Sequence, residues 1–415
     1  MTHDITPLQT APPLSVWRNR SLLFFVVAQF VSMTGTQMTW VALPWYVLTT
    51  TGSPVRMTLV LFAEMVPFAV FGLTAGAIVD RVNLKHLMVG CDLVRVLLVA
   101  SIPTLAAFGV LEYWMIVVAS ALIGTFSAPA YAAQSTVIPE LVGEDEEALI
   151  AGNTAVQLAS QITTMSGPVL AGVLIGIIGN APLLYVDAGT YAVSALIIGL
   201  GVTYRHRTHE GTSESLLSET FTGLKYLWEN RLLRVALIFV ILFVFAFVGL
   251  IDAAFPVFVR DTLHAGPGAL AVLLAGWGIG ASVGMMLYAI VSKRWKLSRG
   301  RTIALLMTGL AIPLWIPPLF PHLLTATAGF MIAGFFDGPL TVVFHTMQQT
   351  EAPPRLRGRV ISAFTAMFML SAPLGVAIAG PILEAWGAIP WMLGMAVIFT
   401  VLAGFAWLSP TLRAA

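Results

Sequence analysis

The sequence predicts an all-α membrane protein whose twelve transmembrane helices form two six-helix bundles. Three observations favour this class. Twelve apolar stretches, each near the ~20 residues that a helix needs to cross a bilayer, occupy most of the 415 residues. Hydrophobic residues make up 58% of the chain and charged residues only 10%, against roughly 25% charged residues in soluble domains. With loops assigned alternately to two sides, 18 of the 21 Lys and Arg residues fall in or at the edge of loops on one side, Arg56 and Arg260 fall on the other, and Arg95 lies within a span.

The predicted spans follow from these apolar windows and the polar residues between them. They cover residues 21–49, 57–79, 87–109, 113–137, 149–178, 182–203, 233–259, 267–291, 302–320, 323–347, 360–384 and 387–409. Cationic loops near span ends stay in the cytoplasm. We therefore expect a multi-pass protein of the cell inner (cytoplasmic) membrane, with both termini cytoplasmic and the first span retained as a helix.

The longest hydrophilic stretch divides the spans six and six. Residues 1–204 and 232–415 are the predicted bundles, and residues 205–231 are the predicted cytoplasmic linker. Apolar groups at helical spacing in this linker indicate an interfacial helix, with a solvated linker as the alternative. An offset of 208 residues superimposes Gly76 on Gly284, residues 171–172 on 379–380, and Gly179 on Gly387. Parallel repeats about an axis along the membrane normal, a pseudo-two-fold, are typical of two-bundle transporters with a midplane site.

Charge and cysteine content exclude several other classes. The net charge is +1 and the basic residues lie in short loops beside the membrane, so no nucleic-acid partner is implied. The one cysteine, Cys91, excludes an internal disulfide and a thiolate metal cluster, and we expect it to pack in the interior. We predict no metal site.

The loop after the second span carries Gly76, Asp80, Arg81, Asn83 and Lys85. This pattern resembles the loop motif of the major facilitator superfamily, although a glycine is usual where Asn83 stands. Asn tolerates left-handed backbone, so the tight turn can persist. The resemblance implies that Asp80 locks the cytoplasmic ends of the two halves together in the outward-open state and that Arg81 supports it. A surface ion pair that closes a turn is the alternative.

Further segments resemble one branch of that superfamily, the drug:proton antiporters that include macrolide efflux proteins and the enterobactin exporter. The matching segments are residues 91–95, 138–142, 167–168, 171–172, 186–188 and 356–360. By this resemblance the cytoplasmic gate comprises Gly76, Asp80, Arg81, Asp92 and Arg95. Gly167 and Pro168 resemble part of the antiporter motif of the fifth helix, which favours export over import. A packing hinge is the alternative there.

Carboxylates inside predicted spans are candidates for coupling, because a charge in the membrane is costly. Asp337 lies near the middle of the tenth span and ranks first. Its alternative role is to cap a helix restart at residues 338–339. Asp252 ranks second, since Pro256 removes the helical partner of its carbonyl and predicts a kink. Simple packing is the alternative for Asp252.

Other polar residues in the spans receive different expectations. Glu64 lies on a helix that slides between the halves in this superfamily, so it is a coupling or gating candidate. Asp187 is expected to make a structural hydrogen bond and His345 a satisfied polar contact. Except for Arg95, near an interface, no span is expected to bury a cation, which disfavours organic anions as substrates.

Apolar, aromatic and amide side chains are expected to line a cavity for hydrophobic or amphiphilic substrates, which are held by contact area more than by directed bonds. Lipid-facing aromatics would look the same in sequence. The candidates are Gln29, Gln37, Trp40, Gln134, Phe243, Phe247, Phe335, Phe336, Phe364 and Met367.

These observations predict a secondary active transporter that works by alternating access. We expect it to couple proton entry to export of hydrophobic or cationic drug-like compounds, as a monomer in the lipid bilayer. The proton gradient is the expected energy source and no bound cofactor is predicted. Export of a siderophore or lipid-like metabolite, sodium coupling, and a non-transporting membrane sensor remain alternatives. No nucleophile–base pair accompanies the buried acids, so an enzyme is not predicted.

Overall fold

The computed structural model describes residues 19–79, 81–143, 145–203, 224–292, 297–351 and 356–409. Twelve helices in these ranges are long and apolar enough to cross a membrane, which confirms the predicted number and order of spans. They are α1 (Arg20–Thr51), α2 (Pro54–Val79), α3 (Leu84–Ala107), α4 (Tyr113–Val142), α5 (Glu146–Ile178), α6 (Asn180–Gly201), α7 (Arg231–Thr262), α8 (Pro267–Val291), α9 (Arg299–Leu319), α10 (Leu323–Glu351), α11 (Arg357–Trp386) and α12 (Ala388–Leu408).

Polar side chains define where several odd-numbered helices begin. Asn19, Asn83, Asp145, Asn230 and Ser298 each accept a hydrogen bond from a backbone N–H of the first turn, which satisfies a donor that has no helical partner. All of these starts lie on one face, where α1 begins and α12 ends. We call it the terminal face and the opposite one the far face.

Asn83 corrects one expectation from the sequence. Its φ of −69° and ψ of 115° are extended, not left-handed, and its side chain caps α3 by accepting from the N–H of His86 at 3.2 Å. The glycine of the family motif is thus replaced by a residue that contributes a helix cap instead of a left-handed turn.

The helix contacts repeat with a shift of six helices. Within the first half α1 packs on α5, α2 on α4, and α3 on both α4 and α6. Within the second half α7 packs on α11, α8 on α10, and α9 on both α10 and α12. Between the halves, α2 packs on α11, and α5 packs on α8. A shift of six helices converts each of these two contacts into the other. This pattern is that of two six-helix bundles related by a two-fold pseudo-symmetry.

Of the three glycine pairs that predicted the repeat, Gly172 with Gly380 and Gly179 with Gly387 occupy equivalent places, whereas the surroundings of Gly76 lie outside the described residues. Gly179 and Gly387 end α5 and α11 with φ of 87° and 80°, a conformation that favours glycine. Gly172 of α5 lies against α8, where a Cβ would be 2.2 Å from the Cβ of Ala271. Gly380 of α11 lies equivalently against α2. Small residues at these points let the halves approach closely near the far face.

Proline affects α7 and α10 differently. Around Pro256, α7 contains two π-helical turns, Gly249–Ala254 and Phe258–Thr262, because a residue without an N–H interrupts the regular hydrogen-bond pattern. By contrast α10 runs without interruption through Pro339. Asp337 therefore lies within a continuous helix and does not cap a restart.

Of the predicted linker, residues 205–223 lie outside the described ranges, and residues 224–229 form a short helix before α7. The interfacial helix and the boundaries of the two bundles remain predictions.

Candidate functional site

A set of connected cavities runs through the centre of the protein. The first-half cavity, of about 260 Å³, is lined by α1 to α5 and includes Gln37, Trp40, Glu64, Arg95 and Gln134. A second-half cavity of about 310 Å³ lies against α7, α10 and α11. A terminal-face cavity of about 520 Å³ lies between α1, α4 and α5. An inter-half cavity of about 260 Å³ joins α1 and α5 to α7 and α8.

Shared residues connect these cavities. Tyr131 of α4 lines the first-half, second-half and terminal-face cavities. Gln37 and Trp40 of α1 line both the first-half and the inter-half cavity. The Tyr131 ring also packs edge-on against Phe68 of α2, with the ring centres 6.1 Å apart. Tyr131 thus stands where both halves border the central space.

The space widens toward the terminal face and closes toward the far face. The second-half cavity is lined by residues 341–348 of α10, in the part of that helix next to the terminal face. Near the far face, a Cβ on Gly380 would lie 2.0 Å from Thr58 Oγ1, so α11 and α2 are in direct contact there. In the terminal-face part, a Cβ on Gly72 would lie 3.8 Å from the Met369 sulfur, an ordinary van der Waals distance, so α2 and α11 pack less tightly there than at Gly380. Among the described residues, the halves pack more tightly at the far face, and the larger cavities lie toward the terminal face.

A charged cluster borders the first-half cavity. Arg95 forms a buried ion pair with Asp92, one turn earlier on α3, and its guanidinium lies 4.3 Å from the centre of the Tyr191 ring. Glu64 of α2 lines the same cavity and lies within electrostatic range of Arg95 and Asp187. Since Asp92 already neutralises Arg95, the cavity presents a carboxyl group and a compensated cation.

Asp92 and Arg95 are not at a helix end. Arg95 lies halfway along α3 and is buried, whereas the sequence placed it near an interface with a role in the cytoplasmic gate. A cation is tolerated at this depth because it has both a carboxylate and an aromatic ring as partners. Their position therefore differs from the gate expected from the resemblance.

Asp187 is held between α6 and α1. It is fully buried, and its Oδ1 accepts a hydrogen bond from Thr190 Oγ1 at 3.2 Å. Gly35 of α1 lies so close that a Cβ there would be 2.3 Å from Asp187 Oδ1. This geometry suits the structural hydrogen bond expected for Asp187.

Asp252 connects the two halves. The indole N–H of Trp40 on α1 donates to Asp252 Oδ1 at 3.3 Å. Asp252 lies in the π-helical turn Gly249–Ala254, and both residues line the inter-half cavity. Any separation of α1 from α7 breaks this bond. The hydrogen bonding of the Asp252 carboxyl therefore depends on the contact between the halves.

Asp337 lies on α10 and is 8% exposed. The indole N–H of Trp277 on α8 donates to its Oδ2 at 3.2 Å. Trp277 also packs edge-on against Phe247, with ring centres 5.3 Å apart, and lines the inter-half cavity. Asp337 does not line the inter-half cavity itself, but its hydrogen bond connects it to Trp277, which does. The two acids ranked highest from sequence are each bound by a tryptophan.

The predicted lining residues divide into two groups. Gln37, Trp40, Gln134, Phe243, Phe247 and Phe364 line one or more of the four cavities. The other four do not line these cavities: Gln29 is buried in α1, Phe336 packs on Gly309 of α9, the Phe335 ring packs edge-on against Phe336, and Met367 packs on the core. His345, expected to make a polar contact, lines the second-half cavity.

The predicted gate is only partly visible. Asp80 lies outside the described residues, and so do the surroundings of Gly76. Arg81 is exposed in the turn after α2, where its N–H donates to the carbonyl oxygen of Ile78 at 3.1 Å. Lys85 donates to the carbonyl oxygen of Val202 at 2.9 Å, which ties the start of α3 to the end of α6.

Gly167 and Pro168 lie where α5 meets α1. A Cβ on Gly167 would be 2.4 Å from the Cβ of Gln37, so only glycine permits this approach, and Pro168 lines the inter-half cavity. Sequence reasoning missed Tyr131 and Trp277. The available signal was an aromatic residue with a polar group near the middle of an apolar span.

Comparison with known proteins agrees with this architecture. The family model described as "Major Facilitator Superfamily" matches residues 25–375 and, separately, 237–414. The chain is 30% identical to the multidrug efflux pump Tap of Mycolicibacterium fortuitum over 403 residues, which cover 94% of this chain and 96% of that protein. It is 25% identical to macrolide efflux protein A of Streptococcus pyogenes over 395 residues, covering 91% and 93%.

Solved structures show the same fold at low sequence identity. The nucleoside transporter NupG superimposes with a TM-score of 0.75 at 12% identity, over 93% of this chain and 98% of that one. A bacterial homologue of the human lysosomal transporter Spinster, in an inward-facing and unoccupied conformation, gives 0.71 at 13% identity, over 97% and 98%. With its twelve helices in two related bundles, the chain belongs to the Major Facilitator Superfamily.

Proposed function

We propose that this protein exports hydrophobic, cationic drug-like compounds by alternating access, driven by protons. The observation that carries the proposal is the connected central space, which is lined by aromatic side chains and acids and is closed at the far face. The multidrug and macrolide efflux relatives, aligned over more than nine-tenths of this chain, support export of drug-like compounds.

The inter-half cavity favours a cationic, aromatic substrate. Trp40, Phe247 and Trp277 offer ring faces and edges, and Asp252 offers the one carboxylate among the residues that line it. Rings attract cations electrostatically, and broad apolar contact tolerates substrates of varied shape. Since Arg95 is already paired with Asp92, the cavities present no uncompensated cation among the described residues that line them. Anionic substrates are disfavoured for this reason.

The orientation follows from the loop charges. If the terminal face is cytoplasmic, as the positive-inside rule requires, the space opens to the cytoplasm, where an exporter loads its substrate. Both termini and residues 205–231 then lie in the cytoplasm of a monomeric inner-membrane protein. Asp80 and Arg81 are proposed to hold the cytoplasmic ends together in the opposite, outward-open state.

Coupling is assigned to Asp337, Asp252 and Glu64. A carboxyl in a low-dielectric interior is favoured in its neutral form, so a bound proton and a bound cationic substrate are alternative ways to neutralise it. Asp337 ranks first because it is a buried acid at the middle of α10 that accepts a hydrogen bond from Trp277, and Asp252 second because its bond to Trp40 bridges the halves.

Transport in inside-out membrane vesicles tests the function. A panel of cationic dyes, macrolides and neutral or anionic controls is offered under an imposed pH gradient or an imposed sodium gradient. We expect pH-driven uptake of the cationic and macrolide compounds only. Uptake driven by sodium alone, or no uptake of any compound by vesicles that contain the folded protein, would contradict the proposal.

A further inference from the structure

The turn that joins α1 to α2 at the far face lacks charges of its own. α1 ends at Thr51 without a basic residue in its last turn, and α2 begins at Pro54 without an acidic residue in its first turn. The helix macrodipole favours a cation at a C-terminus and an anion at an N-terminus. Neither helix supplies the charge that its end favours.

The second half supplies the cation. Arg260, near the end of α7, donates from its guanidinium to the carbonyl oxygens of Leu48 at 2.5 Å and Gly52 at 3.2 Å. These carbonyls belong to the C-terminal end of α1. The neighbouring Asp261 accepts from the same guanidinium at 2.8 Å and fixes its direction.

The second half also supplies the anion. Glu384, near the end of α11, accepts from the hydroxyl of Ser53 at 2.5 Å and from the backbone N–H of Val55 at 3.0 Å. Both donors lie at the N-terminal end of α2. Gly380, one turn earlier on α11, brings that helix close enough to α2 for the contact.

We propose that Arg260 and Glu384 form a far-face gate, which holds α7 and α11 on the α1–α2 turn and must release for substrate to leave. The inference rests on the proposed alternating-access transport, in which the halves separate at this face. All four hydrogen bonds to the turn cross from one half to the other, so opening breaks them together. Neither residue lines the described cavities, which makes them positioning residues of the cycle.

The repeat supports a dedicated gate. At the offset of 208 residues, the counterpart of Glu384 is Gly176, which has no side chain and faces open space. The anionic contact therefore exists on one side of the pseudo-symmetry axis only. Packing inherited from the ancestral repeat would be expected on both sides, as the glycine contacts of α5 and α11 are.

Sided labelling tests the gate without requiring transport. In a Cys91→Ser background, a cysteine replaces Val41, which lines the inter-half cavity and is 5% exposed. A membrane-impermeant maleimide applied at the far face should label this cysteine about threefold faster in Glu384→Gln or in Arg260→Gln than in the parent. This increase in labelling rate is the size expected when a helix end loses its favourable charge. Glu112→Gln is the control, because Glu112 accepts from Trp114 within its own half. Unchanged labelling in both gate variants overturns the proposal.

A reversible cross-link tests release directly. In the same background, a bifunctional methanethiosulfonate reagent that spans the length of the Glu384 side chain should join Ser53→Cys to Glu384→Cys and abolish efflux until a reductant is added. Ser21→Cys with Thr203→Cys is the control, since those hydroxyls lie 3.1 Å apart within the first half. Undiminished efflux by the cross-linked pair 53–384 overturns the gate. If even the parent protein transports no compound, the proposed function fails, while the labelling result still decides the gate.

Discussion

Replacing Gly380 with alanine should open the far face. The added Cβ would lie 2.0 Å from Thr58 Oγ1 and 3.1 Å from Thr58 Cβ, whereas ordinary contact begins at 3.4 Å. α11 and α2 must therefore separate by about 1.4 Å along this line, or Thr58 must rotate. Rotation is costly because Thr58 is 2% exposed and its hydroxyl donates to the carbonyl oxygen of Val55 at 3.1 Å.

The strain from Gly380→Ala acts in only one of the two conformations, so it changes the ratio between them. Overpacking costs about 1–3 kcal/mol, and here it applies only while the far face is closed. The gain of about 0.5–1 kcal/mol from alanine in a helix applies to both states and cancels. The ratio of closed to open far face should then fall by roughly 5- to 150-fold.

The assay is labelling of the Val41→Cys probe from the far face in the Cys91→Ser background. Gly380→Ala should raise the labelling rate, and adding Thr58→Ala should reverse most of the increase by removing the clashing hydroxyl. Gly176→Ala is the matched control, because a Cβ there meets nothing within 4 Å. A folded Gly380→Ala protein labelled as slowly as its parent would show that tight contact between α11 and α2 does not close the far face.

Other predictions address the gate, the orientation and the packing. Asp80→Asn should favour the inward-open state and lower turnover more than substrate affinity; unchanged labelling of cytoplasmic cysteine probes would make the loop a simple turn. In a Cys91→Ser background, cysteines that replace Arg56 and Arg299 should react from outside and inside, respectively, with an impermeant reagent, and the reverse would invert the topology. Gly124→Ala should destabilise the first half by about 1–3 kcal/mol in thermal unfolding, since its Cβ would lie 2.0 Å from a backbone oxygen of α2. A melting temperature at or above that of the parent would show that α2 and α4 are packed less tightly.

The number of helices was predictable because the membrane imposes it. Every spanning segment must satisfy its own backbone hydrogen bonds and reach a fixed length, so apolar windows translate directly into helices. The repeat was predictable for a related reason. Gly172 and Gly380 lie where the halves approach each other, and only small residues fit at both positions.

The site was predictable only in part, because hydropathy does not tell which face of a helix meets the cavity. Phe243 and Phe336 look alike in sequence, but one lines the second-half cavity and the other packs on Gly309. Long-range partners are equally hidden. The residues around Arg95 in the sequence do not predict its contact with the Tyr191 ring, and those around Asp337 do not predict its bond from Trp277. Both contacts arise only when different helices pack together.

A buried acid is proposed to couple proton entry to export, and gradient-driven transport by Asp337→Asn tests this coupling most directly. Asparagine keeps the size of the side chain and mimics the protonated acid. In inside-out vesicles with an acidic interior, the parent protein should accumulate a cationic dye. Asp337→Asn should lose this uphill uptake yet retain downhill exchange, whereas Asp187→Asn should mainly alter stability. Full gradient-driven uptake by Asp337→Asn would contradict the assignment and move Asp252 to first place.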